Sequence, residues 1–312
     1  MLILSVLILA GTTPGASLTR IALMPLNSVI VGKDLPSIEV LVTPRMALAY
    51  SAGIGERSEI AYDDTSPNFV ASPLFCVTPE WQFVISARRD QLGLSPAESL
   101  RAVHAGQSTQ FHSLLRPGVK IRVAGSIVSA RQTRAGALLT TQITICDCEN
   151  GRLISETLSE GMYRDVLLEG GDRTVAGFRG IPRTSIDFAD VFETVVPLDR
   201  WFAHRYTECA AIWNPIHTEL RSARAAGLPS TIVHGTALWA LAGKAVADAY
   251  GDGDTRVLKT LSARFSAMVT AGTSIAIRHS RVPSDHTVVA FAVFNESGKA
   301  AITDGLARLR QV

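Results

Sequence analysis

The chain has 312 residues, of which 47% are hydrophobic and 19% charged, and it carries a net charge of +2. That length accommodates two ordinary domains, each able to bury its own core. The near-neutral balance, without any basic run, excludes a nucleic-acid-binding surface and points to a globular protein that handles small molecules.

Residues 1–30 read as an apolar N-terminal extension. Leu2 to Ala10 has the length of a signal-peptide core but falls short of a bilayer span, which needs about 20 residues. No Lys or Arg precedes it, and the stretch is read as a targeting or membrane-contacting segment, an extra apolar strand or a poorly ordered extension. The four cysteines, Cys76, Cys146, Cys148 and Cys209, form no C-x-x-C and no Cys/His cluster with metal spacing. Free thiols in a reducing, cytoplasm-like compartment are expected, with secretory or membrane targeting left open by the N-terminus. Neither a metal nor a cofactor is expected.

A first domain is placed at 31–165. Ile38 to Val42 is a short strand, after which Thr43 and Pro44 start a helix. Residues 53–64 are loop-like, and Phe75 to Leu92 fits neither the helical nor the strand period. Strands are expected at Val119–Gln132, Ala137–Asp147 and Arg152–Leu158, joined by turns at Thr133–Gly136 and at the hairpin dipeptide Asn150-Gly151. A linker rich in Gly, Arg and Thr occupies 166–185. The second domain, 186–312, opens with a strand at Phe192–Val196.

Asn214-Pro215 is a turn dipeptide that fixes how His217 leaves the backbone. Thr218 to Ala226 reads as a short helix stopped at Gly227. Thr236 to Tyr250 follows, with Leu238, Leu241, Ala245 and Ala249 at helical spacing and small residues between them. A helix apolar nearly all round suits burial inside a wrapping sheet. Four strands complete the domain: Arg256–Ala267, Thr273–Val282, Thr287–Phe294 and Lys299–Leu309. Phe111 to Gly118 aligns without gaps on Phe265 to Gly272, and each segment enters an alternating strand, which indicates an internal duplication.

The run N-P-I-H at 214–217, then A-x-x-A-G-L from Ala223 to Leu228, then I-V-H-G at 232–235 before the long helix resembles the hydratase motif of the MaoC-like, (R)-specific enoyl-CoA hydratases. Residues 102–118 resemble the degenerate N-terminal half of double-hotdog members of that family. The resemblance covers nearly all of the chain after residue 30. It implies an α+β fold of two hotdog domains, each an antiparallel sheet wrapped around a long central helix. It also implies that His217 is a general acid/base and that the Gly235 N–H polarises a thioester carbonyl.

The family pattern is G-D-x-N-P-x-H, and here Ala211 and Ile212 stand where Gly and Asp are expected. Glu208, one helical turn before Ile212, is the candidate replacement carboxylate, and Glu219 is the other. Ile212, Trp213, Asn214 and His234 complete the expected substrate-contacting set. The implied activity is that of a hydratase/dehydratase lyase on an enoyl or 3-hydroxyacyl thioester borne by CoA or an acyl-carrier protein. The alternative is a hotdog scaffold repurposed for non-hydrolytic binding, cyclisation or isomerisation in specialised polyketide or terpene metabolism. Two hotdogs in one chain are compatible with a monomer or a homodimer.

Overall fold

A computed structural model describes residues 26–88, 91–99, 101–184 and 191–310. The apolar segment at 1–25, the expected domain start at Ile186, and Gln311 and Val312 lie outside the described residues. The first half contains β1 (Leu26–Asn27), β2 (Asp34–Leu41), α1 (Pro44–Ile54), α2 (Val77–Phe83), α3 (Pro96–Ser99), β3 (Ala102–Phe111), β4 (Lys120–Thr133), β5 (Gly136–Asp147), β6 (Leu153–Arg164), β7 (Leu168–Glu169) and β8 (Arg173–Thr174). The second half contains β9 (Phe192–Pro197), α4 (Phe202–Ala210), α5 (Leu220–Ala225), α6 (Gly235–Tyr250), β10 (Leu258–Phe265), β11 (Ser274–Val282), β12 (Asp285–Phe294) and β13 (Ala300–Leu309).

Ten of these strands form one continuous path, β2-β4-β5-β6-β3-β10-β13-β12-β11-β9, with β8 added beside β4. Every pairing in it is antiparallel. The seam between the halves is β3 against β10. Periodicity does not mark β3, because His104, Gly106, Gln107 and Thr109 break the apolar alternation, and Gln107 and Thr109 are nevertheless buried.

Local chemistry sets the helix boundaries. The Thr43 hydroxyl accepts from Met46 N, Pro44 occupies the first turn, and Gly55 ends α1 at φ 66°. α6 is sixteen residues long and packs Trp239 fully out of solvent. Its small residues admit the sheet closely: a Cβ on Gly243 would lie 2.6 Å from Leu261 Cδ2. Burying so apolar a helix supplies roughly 1.5–3 kcal/mol for each large side chain removed from water.

The structure corrects several expected boundaries. Residues 75–92 lack a period because the first half's central helix changes pitch along its length. A 3₁₀ turn (Pro73–Cys76) passes into α2 and then into a π turn (Val84–Arg88). This composite replaces the long central helix expected there. β6 runs on to Arg164, and Arg256 lies in a 3₁₀ turn (Thr255–Val257) instead of a strand. The linker is docked on the first half: β7 pairs in parallel with β1, β8 pairs with β4, and Ile181 is buried.

The duplication is visible in the hydrogen bonding. Val42 exchanges bonds with Val119 and Gly118, as Leu198 does with Thr273 and Gly272. Ala71 N–H donates to Leu115 O, as Val233 N–H does to Val269 O. Equivalent residues meet across a pseudo-twofold axis. Ser108 pairs directly with its counterpart Ser262 at the centre of the seam. Tyr50 faces Tyr206 with ring centroids 6.3 Å apart. Gly53 meets Cys209 where α1 crosses α4, so closely that a Cβ on Gly53 would lie 2.6 Å from Cys209 Cβ.

Candidate active site

α4 ends at Ala210, and Ala211 turns left-handed at φ 52°. A residue with a side chain in that conformation is uncommon, and here it reverses the chain into the 212–217 loop. Ile212 N–H donates back to Thr207 O, and Asn214 caps a 3₁₀ turn (Pro215–His217) by accepting from Ile216 N at 3.4 Å. Pro215 fits the first position of that turn because no donor is needed there. His217 emerges at its end, 8% exposed.

His217 Nδ1 lies 2.8 Å from Ile232 O. A carbonyl can only accept, so Nδ1 carries the proton and Nε2 is the bare, basic nitrogen. Nε2 has no hydrogen-bond partner among the described residues. Burial lowers the His217 pKa to about 4, with the bond to Ile232 O opposing that shift. His234 stacks on His217 with ring centroids 3.6 Å apart and planes at 25°. Its Nε2 lies 3.3 Å from Ile212 O and 3.1 Å from Thr207 Oγ1, while Nδ1 is buried without a partner. Desolvation, reinforced by the neighbouring His217, holds His234 well below its ordinary value. Both rings are therefore neutral at pH 7.

Gly235 follows His234 as the first residue of α6. Its N–H belongs to the first turn, has no acceptor within the helix, and sits at the positive end of the helix dipole. At the next residue, Thr236 Oγ1 accepts from Tyr206 OH at 3.2 Å. The Phe265 ring covers Gly235: a Cβ there would lie 3.3 Å from Phe265 Cδ1. Phe265 in turn meets His104 from the first half, with ring centroids 4.7 Å apart. The Phe265 ring thus packs against Gly235 at the start of this helix.

His217, His234, Gly235 and the Ile212 backbone come together, and the expected carboxylates do not join them. Glu208 is exposed, because the left-handed Ala211 breaks the helical register that was to align it with Ile212. Glu219 is also exposed and accepts from Ser222 Oγ. Neither bonds to His217 or His234. Ile212 is 3% exposed and contributes its carbonyl to the site. The Asn214 side chain accepts from Ile216 N within the loop, and Trp213 is 58% exposed. Thr207, Ile232 and Phe265 were not foreseen as site residues. Phe265 stands out in the sequence only as a repeat position, and the other two act through a hydroxyl and a carbonyl that carry no motif.

Among the described residues, no group of three or more His, Cys, Asp or Glu could hold a metal ion, and Cys76, Cys146, Cys148 and Cys209 are free thiols. No helix among them is long and apolar enough to cross a membrane.

Residues 192–293 match the family model described as a MaoC like domain. The chain is 25% identical to the enoyl-CoA hydratase ChsH3 of Mycobacterium tuberculosis over 269 residues, covering 81% of this chain and 89% of that one. It is also 25% identical over 182 residues to 3-hydroxyacyl-thioester dehydratase Y of the same organism, covering 56% of this chain and 60% of that one. Among solved structures, a MaoC-like dehydratase from Phytophthora capsici superposes with a TM-score of 0.77 at 20% identity, over 91% of this chain and 98% of that one. A Mycobacterium tuberculosis protein described as a double hotdog superposes with a TM-score of 0.59 at 13% identity, over 89% of this chain and 95% of that one. The chain is a double-hotdog protein whose second half carries a MaoC-like domain at residues 192–293.

Proposed function

We infer that the protein is a hydratase/dehydratase-type lyase acting on an enoyl or 3-hydroxyacyl thioester, with His217 as its single acid/base group. The observation that carries this reading is the fixed tautomer of His217: Nδ1–H is committed to Ile232 O, and Nε2 is left bare beside the start of α6. Similarity to an enoyl-CoA hydratase and a 3-hydroxyacyl-thioester dehydratase supports the reaction class.

In the dehydration direction, Nε2 takes the proton from the α carbon. The C–H electron pair forms the enolate, whose oxygen is held by the Gly235 N–H and the positive end of α6. The β C–O bond then breaks and the enolate electrons form the C=C bond. The imidazolium returns its proton to the departing hydroxyl, and water leaves with the ring neutral again. One imidazole serving both steps requires the α proton and the hydroxyl to lie on the same face of the substrate. It also explains how the site operates with aliphatic Ile212 in place of an acid. A weakly basic ring is a modest proton acceptor but a strong proton donor once charged, which suits loss of a poor leaving group.

Purified protein is assayed for hydration of crotonyl-CoA and longer enoyl-CoA substrates. His217→Ala is expected to lower kcat by roughly 10²–10⁴-fold, the usual contribution of a positioned acid/base group. Activity indistinguishable between the two proteins, or absent from both, would overturn the assignment.

A second reading, a binding or isomerisation scaffold without water chemistry, is favoured by one observation: the only described hydrogen-bond partner of the His217 side chain is a backbone carbonyl. Isomerisation of an enoyl thioester with no exchange of solvent oxygen would select it.

A further inference from the structure

Proton transfer at His217 leaves one buried titratable group of the same site without a task. His234 is 2% exposed and its Nδ1 is sealed from solvent without a partner, so the ring is not placed to meet substrate. Its Nε2 reaches Ile212 O at 3.3 Å and Thr207 Oγ1 at 3.1 Å. A carbonyl only accepts, so Nε2 carries the ring proton and Nδ1 is bare. His217 holds the opposite tautomer, with Nδ1–H on Ile232 O.

The two bonds cross. His217, on the turn after α4, holds the carbonyl of the residue two before His234. His234, at the start of α6, holds the carbonyl of the residue five before His217. Both carbonyls sit on fixed backbone. Ile232 bridges to Thr270 and Val233 N–H donates to Val269 O. Ile212 N–H donates to Thr207 O, and Ile212 O also accepts from Asn214 N. Between these anchors the two imidazoles stack with centroids 3.6 Å apart and planes at 25°. The fully buried Tyr206 ring supports His234 in turn, with centroids 5.0 Å apart.

Histidine χ2 is a broad torsion, and one hydrogen bond at Nδ1 does not decide the tilt of the His217 ring. The lone pair on Nε2 lies in the ring plane and must be aimed at the α C–H, so the plane sets the rate of transfer. The groups facing His234 are Tyr206 and Thr207 from α4, His217 from the 3₁₀ turn and, through Tyr206, Thr236 from α6. Burial keeps the Tyr206 hydroxyl protonated, and no carboxylate or cation bonds to either imidazole among the described residues. Burial and the neighbouring His217 both disfavour a charge on His234, so the proton taken in turnover stays on His217.

We propose that His234 is a positioning residue of the lyase reaction: clamped to Ile212 O, its neutral ring fixes the plane of the His217 imidazole and thereby the aim of Nε2. The kinetic part rests on the lyase reading; the clamp itself does not.

The full chain is labelled with ¹⁵N in its histidine rings, and two-dimensional NMR follows the tautomer and titration of each ring without substrate. The wild type is expected to show one fixed tautomer per ring, Nδ1–H for His217 and Nε2–H for His234. His234→Gln keeps a donor for Ile212 O but no ring, whereas His234→Phe keeps a ring but no donor. In the Gln variant His217 is expected to populate both tautomers, and its titration midpoint to rise from about 4 toward 6.5. In the Phe variant it keeps Nδ1–H. In crotonyl-CoA hydration, kcat should fall roughly 10–100-fold in the Gln variant with KM little changed, and by a smaller factor in the Phe variant. A residue that only supports the fold would lower the urea midpoint and leave the His217 tautomer unmoved. Matching or exchanging tautomers in the wild type, or an unmoved His217 ring in the folded Gln variant, overturns the proposal. So does a kcat indifferent to His234→Gln when His217→Ala abolishes it. If His234→Gln does not fold, loss of the Nδ1–H tautomer in His234→Phe overturns it equally. If the wild type hydrates no enoyl-CoA, the lyase reading falls and the ring spectra still decide the clamp.

Discussion

Holding His217 neutral ties fold stability to pH in a way that can be worked through. Its pKa falls from 6.5 to about 4 on folding, chiefly because burial disfavours the charged ring. Above pH 6.5 neither the folded nor the unfolded state carries a proton there, and the contribution is fully present. As pH falls from 6.5 toward 4 the unfolded chain binds a proton that the folded chain refuses, so stability is lost across that window. At 1.36 kcal/mol per pKa unit, the loss attributable to His217 is about 3 kcal/mol by pH 4. His234 shifts in the same direction, so the wild-type slope contains both rings. The test is urea unfolding at pH 7 and pH 4.5 for the wild type and for His217→Gln, which keeps a donor for Ile232 O and cannot titrate. The variant is expected to lose roughly 2–3 kcal/mol less than the wild type between the two pH values. Equal losses would show that the ring is not held neutral by the fold, and the assigned tautomer would fall with it.

Four further outcomes follow from the same geometry. With enoyl-CoA substrate, kcat/KM should hold level from pH 8 down to about 5 and drop only near pH 4, where His217 becomes protonated; an acid limb near pH 6.5 would contradict its burial. Gly235→Ala places a methyl 3.3 Å from Phe265, so kcat should fall while Gly235→Ala combined with Phe265→Leu recovers part of it in a paired kinetic comparison. Glu80 is fully buried, its pKa raised to about 8 by burial and opposed by the hydrogen bond from Thr157. Its neutral form stabilises the fold at low pH and that stability is lost as pH rises from about 4.5 to 8, so Glu80→Gln should flatten the decline in denaturation midpoint between pH 5 and 8. Ile212→Asp sets a carboxyl at a 3%-exposed position, and crotonyl-CoA hydration should rise while the urea midpoint falls.

Much of the architecture was legible because local rules agreed with one another. Thr43-Pro44, the small-residue run of α6, the hairpin at Asn150-Gly151 and the Phe…Gly repeat each announce an element by turn chemistry or period. β3 was not legible, since Gln107 and Thr109 are polar residues buried on its inner face, where hydrogen bonds to Glu80 and Thr157 stand in for apolar contact. Residues 75–92 escaped for a different reason, a helix whose pitch changes twice has no period to find. At the site, His217 and Gly235 were found through the motif. Glu208 was misplaced because its candidacy assumed α4 continued through Ala211, and a left-handed alanine gives no sequence warning.

The strand seam at the axis has a consequence for how the halves behave apart. Severed within the linker, the piece from 191 to 310 would keep β10 paired with β13 and present its other side, now held by β3, as an uncovered edge. Ser262 lies opposite its own equivalent, so the register that now joins two unlike halves also suits two copies of one. Such a fragment is expected to associate in pairs about Ser262, restoring by assembly the sheet that the intact chain closes within itself.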